Sequence, residues 1–148
     1  MDIFGNLLLG LSVAITPVNL AFLFVGVLLG MVVGIIPGFG PAAGIAILLP
    51  ITYGMNPTGA VIMLSAIYYG SMYGGTITSI LLNTPEEAGS MVTAMEGNKM
   101  AKHGRAGAAL ATAAIGSFVA GTIATVVVTF FAPVVAEYAV RLGPPEYF

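Results

Sequence analysis

The sequence predicts an all-α integral membrane protein, a multi-span helical bundle with a broken or re-entrant helix at a Pro-Gly motif. Three observations carry that prediction. Hydrophobic residues make up 58% of the 148 and charged residues only 7%, where a soluble domain carries about 25% charged residues; the mean hydropathy is +1.03. The charges are also segregated, with no Asp, Glu, Lys or Arg from Ile3 to Pro85 or from Ala106 to Ala136. A charge at the centre of a membrane helix costs about 2.5–3.5 kcal/mol, and charge-free stretches are the result. Finally, Pro37-Gly38-Phe39-Gly40-Pro41 interrupts apolar sequence that resumes at once.

A spanning helix needs about 20 mostly apolar residues, so the two charge-free stretches have room for about three or four crossings. Asp2 to Thr16 is apolar, short and closed by Pro17, and reads as an interfacial or partly inserted helix. Its start lacks the basic region of a cleavable signal peptide, so the segment is expected to be retained. Val18 to Ile36 is a strong span whose Gly26, Gly30 and Gly34 share one face, where another backbone can approach closely. At Pro37 and Pro41 two backbone donors are lost and the preceding residues are pushed out of the helical region, so no helix runs through. Ala42 to Leu49 is too short to span: it is either the second half of a broken helix or re-entrant. Irregular backbone at membrane depth is tolerated only where it is buried in protein or lines a cavity.

Thr52 to Thr58 is a turn, and Gly59 to Leu82 is the next span. The tyrosines, glycines and hydroxyl residues between Tyr68 and Ser79 predict a helix facing protein or water rather than lipid. Asn83 to Gly107 holds Glu86, Glu87, Glu96, Lys99, Lys102, His103 and Arg105. Excess Lys and Arg marks cytoplasmic loops, so the charged loop 86–107 is expected inside. Ala108 to Ala132 is a further span, terminated by Pro133, and Glu137 and Arg141 are spaced for a helical ion pair in a short interfacial helix.

The chain is not expected to be an enzyme. His103 is the one histidine and lies among basic residues, no Asp lies in a span, and there is no cysteine; no nucleophile–base–orienter set or thiolate metal site can be assembled. No cofactor or metal is called for. The net charge of −2 offers nothing to nucleic acid.

What the sequence does offer is a place for an anion. Transporters commonly bind substrate near the midplane at broken helices, where free N–H groups and the positive end of the dipole attract negative charge. The candidate substrate-binding residues are Pro37, Gly38, Phe39, Gly40 and Pro41 at the break, Tyr73, Gly74, Gly75, Thr76 and Thr78 in the polar helix, and Asn83, Thr84 and Pro85 where that helix ends. One helix terminus contributes only about 0.3–1 kcal/mol, so hydroxyls, further helix ends and a co-bound cation have to help. Unwound carbonyls can coordinate Na⁺; H⁺ coupling through an acidic side chain looks harder, because the spans contain none. The structural alternative is that the Pro-Gly motif is only a kink.

Several runs resemble one family. Gly34-Ile-Ile-Pro-Gly-Phe-Gly-Pro-Ala-Ala-Gly44, Ile67-Tyr-Tyr-Gly-Ser-Met-Tyr-Gly-Gly-Thr-Ile77, Ile80-Leu-Leu-Asn-Thr-Pro85, Ser90-Met-Val-Thr-Ala-Met-Glu-Gly97 with Met100-Ala-Lys-His-Gly-Arg-Ala-Gly107, and Gly143-Pro-Pro-Glu-Tyr-Phe148 resemble, in order, the signatures of the large membrane subunit of tripartite tricarboxylate transporters. The resemblance implies a permease of the bacterial inner (plasma) membrane that takes up carboxylates such as citrate by ion-gradient symport. It further implies a periplasmic solute-binding protein and a small membrane subunit as partners. It makes residues 1–148 a single transmembrane domain forming the amino-terminal portion of a longer permease. Glu86 departs from the family, which usually has Gly there. The rival expectation is a non-transporting membrane scaffold or truncated assembly module whose glycine faces serve only helix packing.

Overall fold

In the computed structural model of the chain, residues 3–85 and 87–139 are described. Glu86, Arg141 and the Gly143–Phe148 run fall outside them, as does the expected pairing of Glu137 with Arg141. Among the described residues the regular structure is helical throughout: α1 (Ile3–Ala14), α2 (Pro17–Gly34), α3 (Pro41–Leu48) with a 3₁₀ turn over Leu49–Thr52, α4 (Pro57–Leu82), α5 (Ala88–Met100), a wide turn over Ala101–Arg105, and α6 (Ala106–Ala139).

Proline punctuates this order. Pro17, Pro41 and Pro57 each stand at the start of a helix, where a missing N–H costs nothing. Asn56 caps α4, its Oδ1 accepting from Gly59 N at 2.6 Å. α4 closes on Asn83 in the left-handed conformation at φ 60°. Between α2 and α3 the chain turns through Gly38, whose φ of +90° suits a residue without Cβ.

Residues 1–110 form one compact unit. Its centre is the contact between α2 and α4, made backbone to backbone. A Cβ on Gly26 would stand 2.7 Å from the Met63 carbonyl oxygen, and Cβ atoms on Gly30 and Gly34 would collide with the Ile67 and Ser71 carbonyls. From α4, Gly70 lies against Val27 and Gly74 against Met31 and Gly34. Both series advance in the same sense at the same sequence offset, so α2 and α4 are parallel. The chain between them must therefore return. It does so through α3, which is antiparallel to α4: Pro41 lies by Ser71 and Gly75, Gly44 by Ile67 and Ser71, and Ile45 by Val61 and Leu64. The helical rise of Pro41–Thr52, about 20 Å, matches the ~21 Å between the levels of Leu20 and Gly34 along α2.

The charged segment is not a loop. α5 packs on α4 and is parallel to it: Glu87 and Ser90 share a cavity with Ser71, Met72 and Gly75, while Asn98 Nδ2 donates to Ile80 O at 2.9 Å and Gly97 abuts Ile80. From Leu82 the chain doubles back to Glu87. That is ~15 Å of helix rise, close to the roughly 17 Å reach of five extended residues. Glu87 and Ser90 form a capping box at the start of α5, with Ser90 Oγ accepting from Glu87 N at 3.3 Å and donating to Glu87 O at 2.9 Å. At His103 and Gly104 (φ +75°) the backbone leaves helical values before α6 begins.

The second unit, residues 111–148, has as its described part the continuation of α6. That helix runs to Ala139 and so passes Pro133, which was expected to end it. Proline deletes one ladder bond, a loss that membrane helices accommodate by local adjustment. Ile115, Phe118, Ile123, Phe130 and Phe131 are exposed along it. Two stretches of described residues are long and apolar enough to cross a membrane, Pro17–Gly34 and Ala88–Ala132. The expected span at 59–82 exists as a helix of 26 residues, but its glycines and hydroxyl residues keep it out of that pair.

Candidate functional site

The parallel run of α2, α4 and α5, with α3 returning between them, brings two chain reversals to one level. α3 begins at Pro41 and α5 at Glu87, and both starts open on the same cavity at the middle of α4, lined by Pro41, Ser71, Met72, Gly75, Glu87 and Ser90. Its free volume is about 10 Å³, the space of one water. Each helix start brings the positive end of a dipole equivalent to roughly half a charge, although Pro41 has no N–H and the N–H groups of Glu87 and Ser90 already donate to Ser90 Oγ and Glu87 O at 3.3 and 3.0 Å.

Ser71 is the polar group at the centre. The residue is 1% exposed and its Oγ has no hydrogen-bond partner. A helical serine ordinarily bonds back to the preceding turn, as Ser79 does to Gly75 O at 2.7 Å. Ser71 instead faces the first turn of α3, where a Cβ on Gly44 would be 3.7 Å from its Oγ. An unpaired buried hydroxyl costs about 1–3 kcal/mol, and a polar ligand would remove that cost.

The expected site residues separate into groups. Pro41 and Gly75 line the cavity. Pro37, Gly38 and Phe39 form the exposed turn leading into it, and Gly40 is the half-buried residue preceding α3. Gly74 is occupied in packing against α2. Thr76 and Thr78 turn their hydroxyls to Met72 O and Gly75 O at 3.1 and 2.9 Å, and Tyr73 Oη donates to Leu110 O at 3.5 Å, so none of the three lines the cavity. Asn83, Thr84 and Pro85 are exposed and make the return from α4 to α5. Sequence reasoning passed over Ser71, Glu87 and Ser90. Ser71 lay in plain view within the polar run of α4. Glu87 belongs to the segment expected as the charged loop 86–107, yet it lines this cavity together with Ser71.

A larger groove of about 430 Å³ runs beside α3 and α4, lined by Ile45, Val61, Leu64, Ser65, Tyr68 and Tyr69. It is broad and mostly apolar, and the polar groups converge at the smaller cavity instead. Among the described residues no cluster of three or more His, Cys, Asp or Glu could hold a metal ion.

Comparison with known proteins gives two findings. The model of the tripartite tricarboxylate transporter TctA family matches residues 20–148. A curated protein of Agrobacterium vitis, described as an uncharacterized 52.8 kDa protein in the TAR-I ttuC' 3' region, is 56% identical over all 148 residues of the chain, which spans 30% of that protein's length. No solved structure matches the chain.

Proposed function

The chain belongs to the tripartite tricarboxylate transporter TctA family, and on that premise we propose that it forms the amino-terminal part of a permease for the uptake of carboxylates, with citrate-like tricarboxylates as the substrate class. The single observation that carries this reading is the meeting of two helix N-termini and the unpartnered Ser71 hydroxyl at the middle of α4. A hydroxyl donor and two positive dipole ends in a low-dielectric surround suit a carboxylate.

The topology supports it. α2 and α3 form a hairpin whose tip, the Pro-Gly motif, lies level with Ser71, and the return from α4 to Glu87 reaches that level from the opposite end. We read these as a broken, re-entrant element and its counterpart meeting at membrane depth, where irregular backbone is tolerated because it lines a cavity. Lys99, Lys102 and Arg105 follow Asn98, which is bonded in the last turn of α4, so positive-inside bias puts that end of α4 in the cytoplasm and its start outside. The site is then entered from the periplasmic side, where a solute-binding protein of the inner membrane system would deliver substrate. A small membrane subunit completes the assembly, and Na⁺ or H⁺ movement drives it. The scaffold alternative loses its main support, because Gly26, Gly30, Gly34, Gly70 and Gly74 are used within the chain and not left for partners.

The test is Gly40→Leu in the full-length transporter. A Cβ at Gly40 meets nothing within 4 Å, so the variant should insert and assemble normally while its isobutyl group obstructs the entry to α3. Loss of labelled citrate uptake with normal membrane levels is expected. Uptake equal to the unaltered transporter would remove the site from consideration.

A further inference from the structure

We propose that the first half of α5 is the gate of this cavity: residues 88–93 swing away from α4 about a pivot at Gly97 and Asn98, and a substrate carboxylate reaches Ser71 through the opening. The inference rests on the transport reading above and adds how the same site is opened.

The cavity has a free volume of about 10 Å³, whereas sites for small molecules measure roughly 300–1,000 Å³. A wall must move to admit a carboxylate, and α3, α4 and α5 each supply one. α4 is held to α2 by backbone contacts at Gly26, Gly30, Gly34, Gly70 and Gly74. α3 is wedged between those two helices: Pro41 and Gly44 are buried, and a Cβ on Gly44 would meet Val33 Cγ1 at 3.3 Å and Ser71 Oγ at 3.7 Å. The attachment of α5 is lopsided. Its buried residues are Ala94, Gly97 and Asn98, all in the second half. There the Asn98 amide donates to Ile80 O at 2.9 Å, and a Cβ on Gly97 would stand 2.8 Å from Ile80 Cγ1. In the first half Gly89, Met91 and Val92 are exposed, and a Cβ on Gly89 meets nothing within 4 Å. Asn83, Thr84 and Pro85, which lead to it, are exposed as well. The hydrogen bonds at this end close on themselves, from Glu87 N to Ser90 Oγ, from Ser90 Oγ to Glu87 O and from Ser90 N to Glu87 O. They travel with the helix when it swings, and little apolar surface is uncovered. Elements with so few buried contacts open at low cost, and binding lids are drawn from them. Ser90 stands eight residues before Asn98, ~12 Å of helix rise, so a rotation of about 15° displaces it by ~3 Å. That is about the diameter of one water, enough for the edge of a carboxylate to reach the Ser71 hydroxyl.

The experiment measures distances between paired spin labels in the full-length transporter, with any cysteine outside residues 1–148 replaced first, since the chain itself has none. One label is carried by Val32→Cys, an exposed position on α2; the other by Gly89→Cys, in the swinging half of α5, or by Met95→Cys, exposed and close to the pivot. Saturating citrate should change the separation between positions 32 and 89 by about 2–3 Å, and that between 32 and 95 by about 1 Å or less, in proportion to their distances from the pivot. Calorimetric titration establishes that each labelled protein binds citrate, and Met91→Cys takes the place of Gly89→Cys where a label at the glycine blocks binding. An unchanged separation between 32 and 89 in protein that binds citrate, or equal shifts at 89 and 95, overturns the proposal and leaves the transport reading standing. Failure of the unaltered transporter to bind citrate removes the transport reading, and the gate with it.

Discussion

Asn98 and Ile80, eighteen residues apart, are joined by a hydrogen bond from the Asn98 amide to the Ile80 carbonyl at 2.9 Å, and both residues are buried. The bond has a specific task. Ile80 lies in the last turn of α4, where carbonyls have no intrahelical donor, and the Asn98 side chain satisfies that orphan while setting the register of α5 on α4. Asn98→Ala leaves the carbonyl buried and unpaired, at a cost of about 1–3 kcal/mol. Asn98→Asp replaces the donor by an acceptor and should be worse. Thermal unfolding of the detergent-solubilised protein reads both, and a melting temperature unchanged by Asn98→Ala would refute this role.

The glycines give a sharp contrast within one chain. Adding a methyl to Gly30 or Gly34 drives it into the Ile67 or Ser71 carbonyl, and backbone cannot step aside as a side chain can. α2 and α4 must then separate, losing the close packing on which helix association in membranes depends. Gly30→Ala should cost at least the 1–3 kcal/mol typical of overpacking. Gly10→Ala, on α1 with nothing within 4 Å of the added methyl, should be neutral or gain up to about 1 kcal/mol of helix propensity. The comparison is made by folded yield and melting temperature; equal behaviour of the two variants would refute the packing account.

Within the Pro-Gly turn the two glycines are not equivalent. Gly38 holds φ +90° and Gly40 φ −38°, and neither position is crowded. Gly38→Ala therefore meets backbone strain of about 1–2 kcal/mol, whereas Gly40→Ala meets little. The expected result is a lower melting temperature for the first variant only.

How far the sequence carried depends on what kind of signal each feature leaves. Pro17, Pro41 and Pro57 announce helix starts locally, so α2, α3 and α4 were legible to within a few residues. The spacing of Gly26, Gly30 and Gly34 announced a packing face, though not that its partner would be the next long helix, running parallel. Pro133 misled, because a proline that ends a helix in water need not do so in a membrane chain. The charged residues from Glu87 to Arg105 misled more deeply: charge reports on solvation, not on backbone, and a solvated helix looks like a loop to that test. The placement of Glu87 beside Ser71 was beyond reach, since it follows from the doubling back after Leu82 and from the α4–α5 register that Asn98 fixes.

Ser71 allows stability and binding to be separated in one substitution. Its hydroxyl is buried without a partner, so Ser71→Ala removes no protein hydrogen bond and relieves the desolvation cost of an unpaired group. The unliganded protein should be as stable as before or more so, by up to about 1 kcal/mol. In the full-length transporter, on the proposed reading of the site, substrate binding should move the other way. A hydrogen bond to a charged group is worth about 1.5–3 kcal/mol, which corresponds to a loss of roughly ten- to hundredfold in citrate affinity. Ser71→Thr keeps the hydroxyl but adds a methyl facing Gly44 and Pro41, and should recover part of the binding. Calorimetric titration with citrate beside a melting curve in its absence distinguishes the cases. A destabilised Ser71→Ala with unaltered citrate affinity would make Ser71 a structural residue whose partner is protein, and the cavity would lose its central donor.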